Sequence, residues 1–153
     1  MKVNIITIGK EKNALGADAL IEYSHRLVRT TDIQWVYIAP SASGGDRAKK
    51  EEGGKILSKI IEGDFVVCLD EHGKQMNTID FASFLDKRIQ GAVKRLVFVI
   101  GGAYGLDRSV LERASYKLSL SAFTFPHELV CIILAEQLYR AFSVLHGEKY
   151  HHD

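Results

Sequence analysis

The first apolar run, Lys2–Ile8, is short, rich in β-branched residues and stopped by Gly9, which predicts a strand. Over residues 14–28, Leu15, Ala19, Tyr23 and Leu27 recur at every fourth position, the spacing of one buried helix face. Residues 34–38 (QWVYI) predict a second strand, closed by Ala39-Pro40, and the polar segment SASGGD that follows predicts a loop. Residues 47–61 predict a helix that turns Leu57, Ile60 and Ile61 inward, weakened at Gly53 and Gly54 by roughly 1 kcal/mol each. Residues 65–69 (FVVCL) are apolar throughout, and DEHGK after them predicts a turn. A helix is expected over 78–89, with Thr78 as its N-cap and Asp80 in its first turn. Residues 96–100 are again apolar throughout and run into Gly101-Gly102-Ala103-Tyr104-Gly105. Residues 116–121 alternate as a strand does, and Pro126 opens a long helix reaching about Leu145, before a polar tail.

Strands that alternate with helices, two of them apolar on both faces, predict an α/β fold: a mostly parallel sheet with helices on both faces. Neither repeat nor linker interrupts the 153 residues, so a single domain over 1–153 is expected. Twenty lysines and arginines against nineteen acids leave a net charge of +1, which excludes a polybasic arm or a uniformly basic coat. It leaves room for local basic groups, at Arg47, Lys49, Lys50, Lys55 and Lys59 and at Lys10, Lys12, Arg26 and Arg29. Cys68 and Cys131 lie far apart in apolar runs and are expected as buried free thiols. No run approaches the ~18 apolar residues of a membrane span. The start lacks a signal peptide's length and cleavage site, so a cytoplasmic protein without membrane contact is expected.

Candidate chemistry gathers after strand ends. Glycines following an apolar strand permit close approach of a ligand to the backbone, or simply make a tight turn. The pattern is neither GxGxxG nor a phosphate loop ending in GK[ST]. The segment LSLSAFTFPH at 118–127 offers backbone polar groups between apolar walls, which suits a flat heteroaromatic ring; the alternative is a hydrophobic helix entry with Pro126 in its first turn. Ser121 and His127 lack the surroundings of a hydrolase nucleophile. The last helix is apolar without a break over 129–135, and Glu136, Arg140 and Ser143 form one narrow polar stripe. A helix apolar around most of its circumference needs cover on most of it, so a homodimer through this helix is expected. The tail holds His146, His151 and His152 beside Tyr150, without partners at metal-ligand spacing, and no metal is expected.

FVIGGAYGLD at 98–107, LSLSAFTFPHELV at 118–130, LAEQLYRAFS at 134–143, the terminal YHHD and the MKVNIITIGK start together resemble the bacterial rRNA large-subunit methyltransferase H family, of the SPOUT superfamily. The resemblance spans nearly the whole chain. It implies a C-terminal trefoil knot, a rare exception to unknotted topology. It further implies a homodimer that uses S-adenosylmethionine to methylate N3 of a pseudouridine in 23S rRNA on the assembled ribosome. A non-catalytic ribosome-binding dimer of the same fold is the alternative. By resemblance, Leu69, Gly102, Ser121, Ala122, Phe123, Thr124, Phe125 and Pro126 hold the cofactor. Tyr150 would stack on the target base and His151 contact the substrate, with His127, His151 and His152 as candidate proton acceptors. The chain departs from the family at Cys131 and His152, where arginine, or arginine or lysine, is common.

Overall fold

The computed structural model describes residues 1–9 and 16–151. Along the chain run β1 (Lys2–Ile8), α1 (Ala17–Val28), β2 (Asp32–Ile38), α2 (Gly45–Leu57), β3 (Phe65–Lys74), α3 (Thr78–Gln90), β4 (Arg95–Ile100), α4 (Arg108–Arg113), β5 (Tyr116–Leu118) and α5 (His127–Leu145). The strands form one sheet in the order β2-β1-β4-β3-β5, and every neighbouring pair is parallel. This bears out the expected α/β architecture.

The pleat explains why β1, β4 and the first half of β3 are largely apolar on both faces. Val3 and Ile5 of β1, Val67 of β3 and Leu96 and Phe98 of β4 face a layer made by Leu27 of α1, Phe81 and Leu85 of α3, and Leu134 and Leu138 of α5. The intervening residues, Ile6, Ile8, Val66, Cys68, Val97 and Val99, face Ile56 of α2 and Val110 of α4. Both faces are covered, so both sets are mainly apolar, with Asn4 and Thr7 of β1 the polar side chains buried among them.

Four expectations are corrected. DEHGK is strand, not turn: after a register shift beyond Leu69, Lys74 pairs again with Leu118 of β5. Gly73 makes this possible, since a Cβ there would lie 2.6 Å from the Lys117 backbone. Asn77, not Thr78, caps α3, its side chain accepting the Asp80 N–H at 2.7 Å. Thr78 instead donates to Gln137 Oε1 at 2.9 Å and ties α3 to α5. β5 ends at Leu118 rather than 121, because Ser119 turns its N–H to Lys74 O and its hydroxyl to Ser121 O. The six-residue α4 was not foreseen; Asp107 caps it by accepting the Ser109 N–H. Lys10, Lys12 and the expected helix start at residues 14 and 15 lie outside the described residues.

Candidate functional site

β3, β4 and β5 are adjacent and parallel, so their carboxyl ends open on one edge of the sheet. The loops that leave them enclose a cleft of about 900 Å³, within the range of small-molecule sites. Leu69 lines it from the end of the regular part of β3, Gly102 from the loop after β4, and Ser121, Phe123, Thr124, Phe125 and Pro126 from the loop before α5. Ala122 belongs to the same loop. His127, the first residue of α5, also lines the cleft.

Each loop is held in shape locally. Gly105 adopts φ +82°, and its N–H donates to Gly102 O at 3.0 Å, closing a turn over the cleft floor. Gly101 and Gly102 have no room for a side chain: a Cβ would lie 2.9 Å from Gly105 C and 2.9 Å from Glu52 Oε2, respectively. In the third loop, Phe123 N–H donates to Ser121 Oγ at 3.0 Å, and Thr124 Oγ1 donates to Glu71 Oε2 at 3.1 Å, joining the second half of β3 to the loop after β5. Phe123 remains 77% exposed, which leaves an aromatic face at the mouth.

The charges in the lining are mainly negative. Asp70, Glu71 and Glu128 face the cleft against a single lysine, Lys49. His72 stands beside Asp70, with Nδ1 3.1 Å from Asp70 Oδ1. The residues of DEHGK were missed as site residues because they were read as a turn. Their place directly after a fully apolar strand was the available signal.

His127 is anchored below the cleft by a 2.6 Å hydrogen bond between its Nε2 and Thr7 Oγ1 of β1. Cys131, one turn on, is buried 3.8 Å from Thr7 Oγ1 and 4.0 Å from that same nitrogen. Cys68 is buried as well, and burial pushes its thiol up to about 12, so it carries no thiolate chemistry near neutral pH.

Tyr150 and His151, the described residues of the tail, do not line this cleft within the chain. Tyr150 packs between α1 and α5, its ring 4.7 Å from Tyr139 and its hydroxyl 3.4 Å from both Tyr23 Oη and Glu136 Oε1. The Arg140 guanidinium lies 4.7 Å over the Tyr150 ring and is itself paired with Glu136. Glu136 is nine residues beyond His127, roughly 13 Å along α5. Burial first, then the Tyr23 hydrogen bond and the neighbouring Tyr23 and Glu136, push the Tyr150 phenol up to about 12, so it stays a donor. His151 follows it away from the cleft lining, and His152 lies outside the described residues. Among the described residues there is no cluster of His, Cys, Asp or Glu able to hold a metal ion. Nor is any described helix long and apolar enough to cross a membrane.

A parallel α/β sheet with a ligand-sized cleft across the carboxyl ends of its strands defines a class of small-ligand-binding proteins, many of them enzymes. The matches to known proteins narrow it. A family model described as a predicted SPOUT methyltransferase matches residues 1–151. The ribosomal RNA large subunit methyltransferase H of Christiangramia forsetii is 42% identical, with 99% of each chain covered. The protein of that name from Parabacteroides distasonis is 38% identical over 100% of both chains. A solved structure of a probable methylase family protein from Haemophilus influenzae Rd KW20 aligns with a TM-score of 0.53 over 99% of this chain and 70% of that one. At 14% identity it supports the fold alone. The chain belongs to the SPOUT methyltransferase family.

Proposed function

We propose that the protein transfers the methyl group of S-adenosylmethionine to N3 of a pseudouridine in 23S rRNA, acting in the cytoplasm as a homodimer on the assembled ribosome. The observation that carries this reading is the convergence of Leu69, Gly102 and the 121–126 loop, distant in sequence, on one cleft. The lining suits this cofactor. Leu69, Leu106, Leu118 and Phe125 offer apolar walls to an adenine ring, and the carboxylates suit a cation better than a phosphate. When bound, the cofactor supplies an electrophilic methyl on sulfur.

The chain's own residues then have three tasks. The 121–126 loop, fixed by its internal hydrogen bonds and by Glu71, presents backbone amides and carbonyls to the adenine edge. Gly102 admits the cofactor against the loop backbone. The target base must be held in line with the methyl, and such positioning is worth several orders of magnitude in rate. The proton on N3 must leave to an acceptor within hydrogen-bond reach. His127 lies in the cleft with one ring nitrogen engaged by Thr7, which orients the imidazole.

Tyr150 and His151 are assigned to base stacking and substrate contact, and His152 to the same tail. The position of Tyr150 beside α1 and α5 supports an assignment across subunits: the tail of one chain serves the cleft of the other. Ile21 and Val28 of α1 and Leu129 of α5 are exposed apolar side chains that a second copy would cover. The segment carrying β5 and α5 is assigned the family's knotted threading. The non-catalytic alternative is not favoured: the lost arginine at Cys131 leaves a buried, filled position rather than a gap in the cleft.

The test combines calorimetry and transfer. The purified protein should bind S-adenosylmethionine and methylate ribosomes lacking the modification. Deleting residues 150–153 should spare cofactor binding and stop transfer. Mixing the deletion with a Gly102→Val chain should restore transfer, because one cleft would then have both a sound cofactor loop and a tail. Ribosome binding without any methyl transfer by the intact protein would refute the reading.

A further inference from the structure

Glu52 is a carboxylate of α2 that is only 5% exposed. Its Oε1 accepts the Ser41 N–H at 2.9 Å. Its Oε2 is buried and has no hydrogen-bond partner among the described residues. That oxygen is aimed at the cofactor loop, since a Cβ on Gly102 would meet it at 2.9 Å. A buried acceptor without a donor costs stability, and a charged one costs more. Packing alone does not require it: a neutral amide of the same shape would fill the space and still accept the Ser41 N–H. Unsatisfied polar groups kept in a core point to a use outside folding.

We propose that Glu52 is a positioning residue for a cationic cofactor, supplying from beneath Gly102 a fixed negative charge that favours the sulfonium over its neutral thioether product. The inference rests on the S-adenosylmethionine reading above. In the transfer, the bond from sulfur to methyl breaks as the bond from N3 to methyl forms. The electron pair of the broken bond stays on sulfur, and the N3 proton passes to an acceptor. The cofactor thereby loses one unit of positive charge. A nearby fixed carboxylate holds the charged form more tightly than the neutral one, which retains reactant and helps product to leave.

Asp70, Glu71 and Glu128 are less suited to this part. They face the open cleft, where water and salt screen them, and Asp70 and Glu71 are already engaged by His72 and Thr124. Glu52 acts through protein rather than through water, where the effective dielectric is lower.

The test is Glu52→Gln in the full-length protein, with calorimetric titration of S-adenosylmethionine and of S-adenosylhomocysteine, and a melting curve. We expect the preference for the sulfonium over the thioether to fall roughly tenfold, the scale of a partly screened charge pair. The loss should fall on S-adenosylmethionine affinity, with S-adenosylhomocysteine affinity unchanged and the melting temperature no lower. Equal weakening of both ligands, no change in either, or a lower melting temperature with the preference intact would overturn the proposal. A wild-type protein that binds neither ligand would overturn the cofactor reading itself.

Discussion

Gly102→Ala adds one methyl group at the floor of the cleft, and its surroundings set the consequence. The new Cβ would lie 2.9 Å from Glu52 Oε2 and 3.2 Å from Ile8 Cγ2, both inside ordinary contact. Neither neighbour yields easily. Glu52 is buried and held by Ser41, and Ile8 ends β1 in register with Ile38. The loop over 101–105 must therefore lift towards the cleft. Overpacking of this kind costs about 1–3 kcal/mol, a fall in melting temperature of about 2–12 °C for a domain of this size. The lifted loop also misplaces the cofactor contact, and a displacement of a few tenths of an ångström should weaken S-adenosylmethionine about tenfold. Thermal unfolding and calorimetry measure the two effects separately. A double-mutant cycle with Glu52→Ala isolates the cause: with the carboxylate gone, the glycine substitution should cost about 0.5–3 kcal/mol less. Wild-type melting and binding in Gly102→Ala, or strict additivity in the cycle, would refute the reasoning.

The two adjacent glycines of α2 should respond in opposite directions. Gly54 has open space around it, so Gly54→Ala should stabilise by up to about 1 kcal/mol in urea unfolding. Gly53→Ala should destabilise, because its Cβ would lie 2.8 Å from Asp107 Cβ; effects of one sign would contradict this packing. The second group concerns acid stability. Burial alone would raise the Asp64 carboxyl, but the Arg95 hydrogen bond, the Ile61 N–H and the Arg95 and Arg113 charges outweigh it and hold it below its ordinary value. Its stabilisation is thus present above the unfolded aspartate value of about 3.9 and is lost as pH falls through the lower folded value. Arg95→Ala should cost about 3 kcal/mol at neutral pH by stranding this carboxylate, and should flatten the acid limb of stability against pH. An acid limb like the wild type's would count against the pair as its source.

The sheet was legible because two periodicities were clean: strands apolar on both faces, and helices with one apolar face. The cleft was half legible. Gly102 and the 121–126 loop stand directly after apolar strands, where ligand-binding loops belong. Asp70, Glu71 and His72 follow the apolar run of β3 in the same way but were hidden by their turn-like composition. Pairing of Lys74 with Leu118, a tertiary event, decides that segment's course. Glu52 was harder still. Within KKEEGGK an acid reads as part of a solvated helix face, and only the loop folded over it buries it. The one local hint was Gly53, a helix-weakening residue whose presence makes sense once Asp107 is seen against it.

The charge distribution bears on how an RNA could be held by a chain with a net charge of only +1. A cleft rimmed by Asp70, Glu71 and Glu128 repels a phosphate backbone, so the proposed target base has to enter without its strand following it in. Apart from Lys49 in the lining, the basic groups able to hold the strand lie elsewhere: Arg26 at the end of α1, partly neutralised by Glu22, and Lys50 and Lys55 along α2. Tyr150 and Arg140 stand on α1's side of α5, away from the chain's own cleft. A second copy packed over the exposed Ile21 and Val28 would, on the proposed function, bring that aromatic and cationic group to the partner's cleft. On the proposed function, the acidic cleft then selects the cationic cofactor and the partner's tail selects the base. Loose RNA would bind weakly, because neither surface grips a backbone by itself.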